Sequence, residues 1–228
     1  MKSKMKFVPA MLLGGVLALA GATNNAAAAV ILSPVAVVNT VPEFFPGCCA
    51  IGRTIDQSGL SAGFTSGVTD FDTYTGTSPL HSISFGLEWF APSGTFVQTI
   101  DYDLGASYLV DRAAVWNEES WGASTVDIFT SADNITYASV GTFGLTNHLV
   151  ASYGADILNV SDSTARYVRF VVTGIPGPDG DGSDNTSVSL GEVAFSVGGA
   201  RQVPEPASLA LMGLGLAGLA AFRRRKLD

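Results

Sequence analysis

The chain is expected to fold as an all-β protein, a β-sandwich of jelly-roll type, flanked by an N-terminal signal peptide and a C-terminal transmembrane helix. Three features predict this. Between residues 30 and 200, short apolar and β-branched runs are punctuated by Gly, Asp, Asn and Ser, the rhythm of strands joined by tight turns. No segment there sustains helical periodicity for ten residues, so helices should be few. The stretch Arg166 to Thr173 alternates, with Tyr167, Arg169, Val171 and Thr173 on one side and Val168, Phe170 and Val172 on the other, and the second set reads as core.

In chain order the clearest strands are Thr95 to Tyr102, Tyr108 to Trp116, Thr125 to Thr130, Ala138 to Phe143, Arg166 to Thr173 and Ser187 to Val197. Ser131-Ala132-Asp133-Asn134 is turn chemistry between the third and fourth, which makes that pair a hairpin.

Both ends carry export signals. Lys2, Lys4 and Lys6 precede the uncharged stretch Phe7 to Ala20, and Ala27 and Ala29 supply small side chains for cleavage. The apolar run is shorter than the roughly 20 residues a spanning helix needs, so residues 1–29 read as a removable signal peptide. At the other end the 16 residues Ala207 to Phe222 carry no charge and run straight into Arg223, Arg224, Arg225 and Lys226. A helix of that length reaches about 24 Å at 1.5 Å per residue, short of a roughly 30 Å hydrocarbon core. It is a weak membrane anchor whose basic cluster stays cytoplasmic. Ahead of it stands Val203-Pro204-Glu205-Pro206, whose prolines forbid helix and leave an extended strip beside the membrane.

The order of Pro-Glu-Pro, short apolar helix and arginine cluster resembles the PEP-CTERM sorting signal, over residues 203–228. The resemblance implies passage through the secretion machinery and recognition by an exosortase, a membrane enzyme that processes the tail. It places the protein in the cell envelope or on the extracellular surface of a Gram-negative bacterium, anchored at least transiently.

Residues 30–200 suffice for one domain with a real core. From Val30 to Val203 there are 18 acidic side chains and five basic ones (Arg53, Arg112, Arg166, Arg169, Arg201), with no lysine. Nucleic acid is therefore excluded as a partner, and neutral sugars or divalent cations suit the surface better than polyanions. The two cysteines, Cys48 and Cys49, are adjacent. They can form a vicinal disulfide, stay reduced, or pair between chains.

Four motifs in order resemble the discoidin, or coagulation-factor type C, domain, a galactose-binding-like jelly roll. These are Asp103-Leu104-Gly105 before a strand; Ser131-Ala132-Asp133-Asn134-Ile135-Thr136-Tyr137, similar to S-x-D-G-x-x-W; Ala165-Arg166-Tyr167-Val168-Arg169; and Leu190-Gly191-Glu192-Val193. The match spans Gly59 to Val197. The family's D-G-x-x-x-T-x-W loop is replaced by a longer Asp70-Phe71-Asp72-Thr73-Tyr74-Thr75-Gly76 and, further on, Glu88-Trp89. The resemblance implies a structural calcium, with Asp70, Asp72 and Glu192 at the matching positions; otherwise Asp70 and Asp72 cap a turn and Glu192 is solvated.

For ligands, Trp116-Asn117-Glu118-Glu119-Ser120-Trp121 offers an aromatic face for a sugar ring and amide and carboxylate groups for its hydroxyls. Trp121, Asn117, Glu118 and Glu119 are the candidate contacts; Trp89 and Trp116 read as core. The acidic run Asp179 to Asn185 fails as an EF-hand, because its sixth position is Asp184 and its twelfth Leu190. His81 and His148 sit in no catalytic motif and read as surface residues. Glu118 and Glu119 point to alternate sides if extended, a poor glycosidase pair. The expected function is a non-catalytic surface module for extracellular polysaccharide. The alternatives are a structural or adhesive matrix protein and, less favoured, a polysaccharide hydrolase.

Overall fold

The computed structural model describes residues 29–45, 47–148, 151–175, 177 and 186–198. The signal peptide, the acidic loop Asp179 to Asn185 and the sorting tail lie outside the described residues.

In chain order the elements are β1 (Val30–Leu32), β2 (Ala36–Val37), a 3-10 turn (Ile51–Thr54), α1 (Phe71–Gly76), β3 (Trp89–Phe90), β4 (Val97–Trp116), β5 (Ala123–Ser131), β6 (Ala138–Gly144), β7 (Asp156–Gly174), β8 (Ser189–Leu190) and β9 (Glu192–Gly198). The main sheet runs β1-β9-β4-β7-β5-β6 with β2 also on β4, and β3 pairs with β8 in a separate ribbon. Among the described residues no helix is long and apolar enough to cross a membrane.

The strands expected at Thr95 to Tyr102 and Tyr108 to Trp116 are one strand, β4. Gly105, at φ +83°, lets the chain bulge instead of turning back, and its N–H donates to Asp103 Oδ1 at 2.8 Å. The register with β7 slips there and again between Val110 and Arg112. These bulges let one long sheet fold over itself. Phe170 lies beside Ile100 on the first half of β4, and Phe195 beside Ala113 on the second. Yet their ring centroids are 5.8 Å apart, and Tyr102 meets them at 5.4 and 6.1 Å. Side chains so far apart along the sheet meet only across the interior of a sandwich.

Val168, Phe170 and Val172 are buried, as their alternation requires. β7 begins ten residues earlier than Arg166, at Asp156; Leu158 and Val160 point inward there between the outward Ile157, Asn159 and Ser161. The strand expected over Ser187 to Val197 is broken at Gly191 into β8 and β9. The hairpin forms as expected between β5 and β6. Asn134 takes φ +60°, and the Asp133 carboxylate accepts the N–H groups of Ile135 and Thr136 at 2.9 Å each. On the outer face Arg169 forks onto Asp101 at 2.6 and 2.8 Å and lies 3.8 Å over the Tyr137 ring, while Arg166 forks onto Asp103 at 2.9 Å. A second cluster of Ile31, Phe71, Tyr74, Ala114, Trp116, Tyr153 and Ala194 covers the opposite face of β4 and β9.

Phe170→Ala should cost about 3–5 kcal/mol in a urea titration, because the aromatic junction cannot collapse onto the void. Ile135→Ala, on a side chain 83% exposed, should stay within about 0.5 kcal/mol of the parent.

Candidate functional site

β4 ends at Trp116, and Asn117 turns the chain. Its Nδ2 donates to Ala123 O at 2.9 Å and Thr146 O at 2.8 Å, and its Oδ1 accepts Ala123 N–H at 2.8 Å. Gly122 permits the closure, since a Cβ there would stand 2.3 Å from Glu118 O. Inside the turn Glu118 Oε2 accepts the N–H of Ser120 at 3.0 Å, the N–H of Trp121, and the Ser189 hydroxyl at 2.8 Å. Ser189 N–H in turn donates to Trp121 O at 2.8 Å, docking the turn on β8.

Because this segment turns, Glu118 and Glu119 do not diverge as they would in an extended strand. Both face Glu88, which immediately precedes β3, and one oxygen of each carboxylate lies within 4.8 Å of the others. All three residues are buried. Above them is a cavity of about 270 Å³ lined by Phe44, Ile83, Phe85, Phe90, Ser120 and Trp121. Phe44 and Phe90 meet Trp121 edge-on, at centroid distances of 5.4 and 5.5 Å. Phe85 and Ile83 are exposed at the rim.

Behind Glu88 the Tyr153 hydroxyl donates to Glu88 Oε1 at 2.5 Å, and His81 Nδ1 lies 3.1 Å from that hydroxyl and 2.9 Å from Ser82 O. His81 is fully buried, not at the surface as its lack of a motif suggested. The loop around Gly59 presses on its ring so closely that a Cβ would come within 2.0 Å of Nε2. Burial, reinforced by the charges of Glu119 and Glu88, holds the Glu118 carboxyl well above the usual carboxylate range. Burial chiefly, with Glu88 nearby, raises Glu119. The Tyr153 phenol is raised by burial and then by Glu88.

Of the sequence candidates, Trp121, Glu118 and Glu119 share this pocket. Asn117 does not: it is completely buried, and its amide is engaged in holding the turn. Trp89 and Trp116 are core, their indole N–H groups donating to Pro42 O at 3.0 Å and Pro79 O at 2.9 Å. Cys48 and Cys49 form a vicinal disulfide in the segment that carries Phe44 over β3, where Phe44 N–H donates to Phe90 O at 2.8 Å.

The calcium set does not converge. Asp70 caps α1, accepting Thr73 N–H at 2.8 Å; Asp72 forks onto Arg112; Glu192 accepts Gln57 N–H at 2.9 Å. Among the described residues the group of acidic side chains close enough to share an ion is instead Glu88, Glu118 and Glu119. Glu192 is buried rather than solvated, one of its oxygens has no partner, and burial pushes its carboxyl up to about 9. Asp70, Asp72 and Glu192 therefore do not fit a calcium ion together. Sequence reasoning missed Glu88, His81 and Tyr153; each lies in a loop without strand or helix periodicity, and a glutamate abutting a core tryptophan was the one available cue for Glu88.

Residues 202–226 match the model of the PEP-CTERM protein-sorting motif. The tail is a PEP-CTERM sorting motif. No curated protein matches the chain. Among solved structures it is similar to the C-terminal domain of a chitobiase from Bacteroides fragilis, at 19% identity, covering 73% of this chain and 97% of that one with a TM-score of 0.50. It is also similar to chitosan-binding module 1 of a chitosanase/glucanase from Paenibacillus sp. IK-5 (22% identity, 72% and 95% covered, TM-score 0.46). A Clostridium perfringens module, CpGH89CBM32-5, in complex with GalNAc-beta-1,3-galactose, gives 14% identity, 73% and 92% coverage and a TM-score of 0.44. The likeness to the chitobiase domain is one of fold, and it agrees with the sandwich described above.

Glu192 sets a pH signature for stability. Its usual value is 4.5 and its folded value about 9, so between these the folded state keeps a proton that the unfolded chain has lost. That contribution is complete below about pH 4.5 and is lost as pH rises toward about 9. The melting temperature should therefore fall across this interval, and Glu192→Gln should flatten the slope by about one proton's worth in melts at constant ionic strength.

Proposed function

We propose that the chain is an exported, non-catalytic surface module that binds extracellular polysaccharide in the pocket between Trp121, Phe44, Phe90 and Phe85. The observation that carries this reading is the pairing, in one cavity of about 270 Å³, of an aromatic wall with buried carboxylate oxygens. Apolar walls and a few convergent polar groups are what a sugar needs: C–H faces against rings, hydroxyls onto acceptors. The acidic surface favours a neutral or cationic polymer over a polyanion. The sorting motif at residues 202–226 supports delivery to the envelope surface, with an exosortase acting on the tail and the apolar segment Ala207 to Phe222 serving as the membrane anchor.

The non-catalytic reading rests on how Glu118 is held. One of its oxygens already accepts two backbone N–H groups and the Ser189 hydroxyl, the bonding of a group that fixes a loop.

Titration of the purified chain against a panel of neutral, cationic and anionic bacterial exopolysaccharides should give saturable binding to a neutral or cationic member. Trp121→Ala should weaken it at least about tenfold, equivalent to roughly 1.4 kcal/mol, with Ile135→Ala unchanged. A panel without binding, together with self-association of the chain, would favour the adhesive reading instead. Release of soluble fragments from labelled polymer would overturn the non-catalytic one.

A further inference from the structure

We propose that Glu88, Glu118 and Glu119 bind a hard divalent cation of the calcium class at the floor of the aromatic pocket, at a site separate from Glu192. The three residues come from two segments, the approach to β3 and the β4–β5 turn, yet bring one carboxylate oxygen each within 4.8 Å of the others. Oxygens that share a calcium ion at about 2.4 Å each can stand no further apart than about 4.8 Å, and these three are within that limit. Three buried acids of one sign are unfavourable unless something positive or donating meets them, and the protein supplies little. The arginines at 53, 112, 166 and 169 pair with Asp56, Asp72, Asp103 and Asp101. Tyr153 reaches Glu88, and the turn's N–H groups reach Glu118. Glu119 meets the Glu118 carboxyl through one side only: the residue is 5% exposed, and its Oε2 is buried without a hydrogen-bond partner. An acceptor held in that position without a donor points to a ligand.

The donor set selects the ion. Three carboxylates without thiolate or ligating imidazole suit a hard cation, and the remaining positions of a 6–8-coordinate shell face the cavity, where water or a hydroxyl completes them. His81 Nδ1, 3.6 Å from Glu88 Oε1, acts behind Glu88 as an orienting group.

The full chain, purified in mild detergent and stripped with EDTA, is titrated with terbium(III), whose luminescence is excited through nearby tryptophan. Saturable luminescence displaced by calcium is expected. Glu119→Gln and, as a second variant, Glu88→Gln should weaken it at least tenfold, while Glu192→Gln leaves it within twofold. Thermal melts provide an independent sign. In EDTA Glu119→Gln should melt at or above the parent temperature, having lost one buried acid, and calcium should raise the parent's melting temperature but not the variant's. Absence of calcium-displaceable terbium, retention of affinity in Glu119→Gln, or its loss only in Glu192→Gln would each overturn the proposal. Glycan binding is measured separately and does not enter these readouts.

Discussion

The fold depends on one junction, the three rings of Tyr102, Phe170 and Phe195. Tyr102 and Phe170 are diagonal neighbours on β4 and β7, whereas Phe195 on β9 lies far along the sheet beside Ala113, and the edge-to-face packing of the three brings the two halves of that sheet together. Without it β4 and β7 would be a long two-stranded ribbon with an exposed apolar face. With it, Gly105 and the slip near Arg112 become hinges at which the ribbon folds into layers. The hydrophobic effect supplies the drive, and the bulges decide where the bend falls.

The same topology separates the ends of the domain from the pocket. Val30, the first strand residue, lies opposite Val197, near the end of β9, so the chain enters and leaves the domain side by side. Trp116 lies opposite Glu192, at the start of β9, and the turn that carries Glu118 and Trp121 follows directly. The run from Glu192 to Gly198 is about 20 Å at roughly 3.3 Å per residue. The pocket and Gly198, where β9 ends, are thus at opposite ends of one strand.

Much of the scaffold was legible before the structure. Period-two alternation in Val168, Phe170 and Val172 fixed the core face of β7, and Asp133-Asn134 fixed the hairpin, because both are local signals. The first half of β7 escaped notice because Asn159, Ser161 and Asp162 dilute the two inward residues, Leu158 and Val160. The site was legible only in part. Trp121, Glu118 and Glu119 are contiguous and were found together; Glu88 and Tyr153 reach them through tertiary contacts that leave no periodic trace. The opposite orientations expected of Glu118 and Glu119 assumed extended backbone, whereas Asn117 and Gly122 impose a turn. The inclusion of Asn117 among the contacts failed for the same reason, since its amide is fully buried and holds three backbone groups of the turn.

Two sets of buried acids in this molecule are handled in different ways, and the contrast locates its chemistry. Asp101 and Asp103 sit on the outer face of β4, and each is met by a two-pronged arginine from β7, one of them stacked on Tyr137. Those pairs are complete: every charge has its counter-charge, and the result is a pinned strand register. Glu88, Glu118 and Glu119 are at least as deeply buried, but their partners are hydroxyl and backbone N–H groups, with His81 3.6 Å behind Glu88, and burial, reinforced by Glu119 and Glu88, raises the proton affinity of Glu118. Among the described residues four arginines stand against aspartates and none against these glutamates. Their unfilled demand for a proton or a cation is therefore a property of the pocket, on the side that the aromatic wall leaves open.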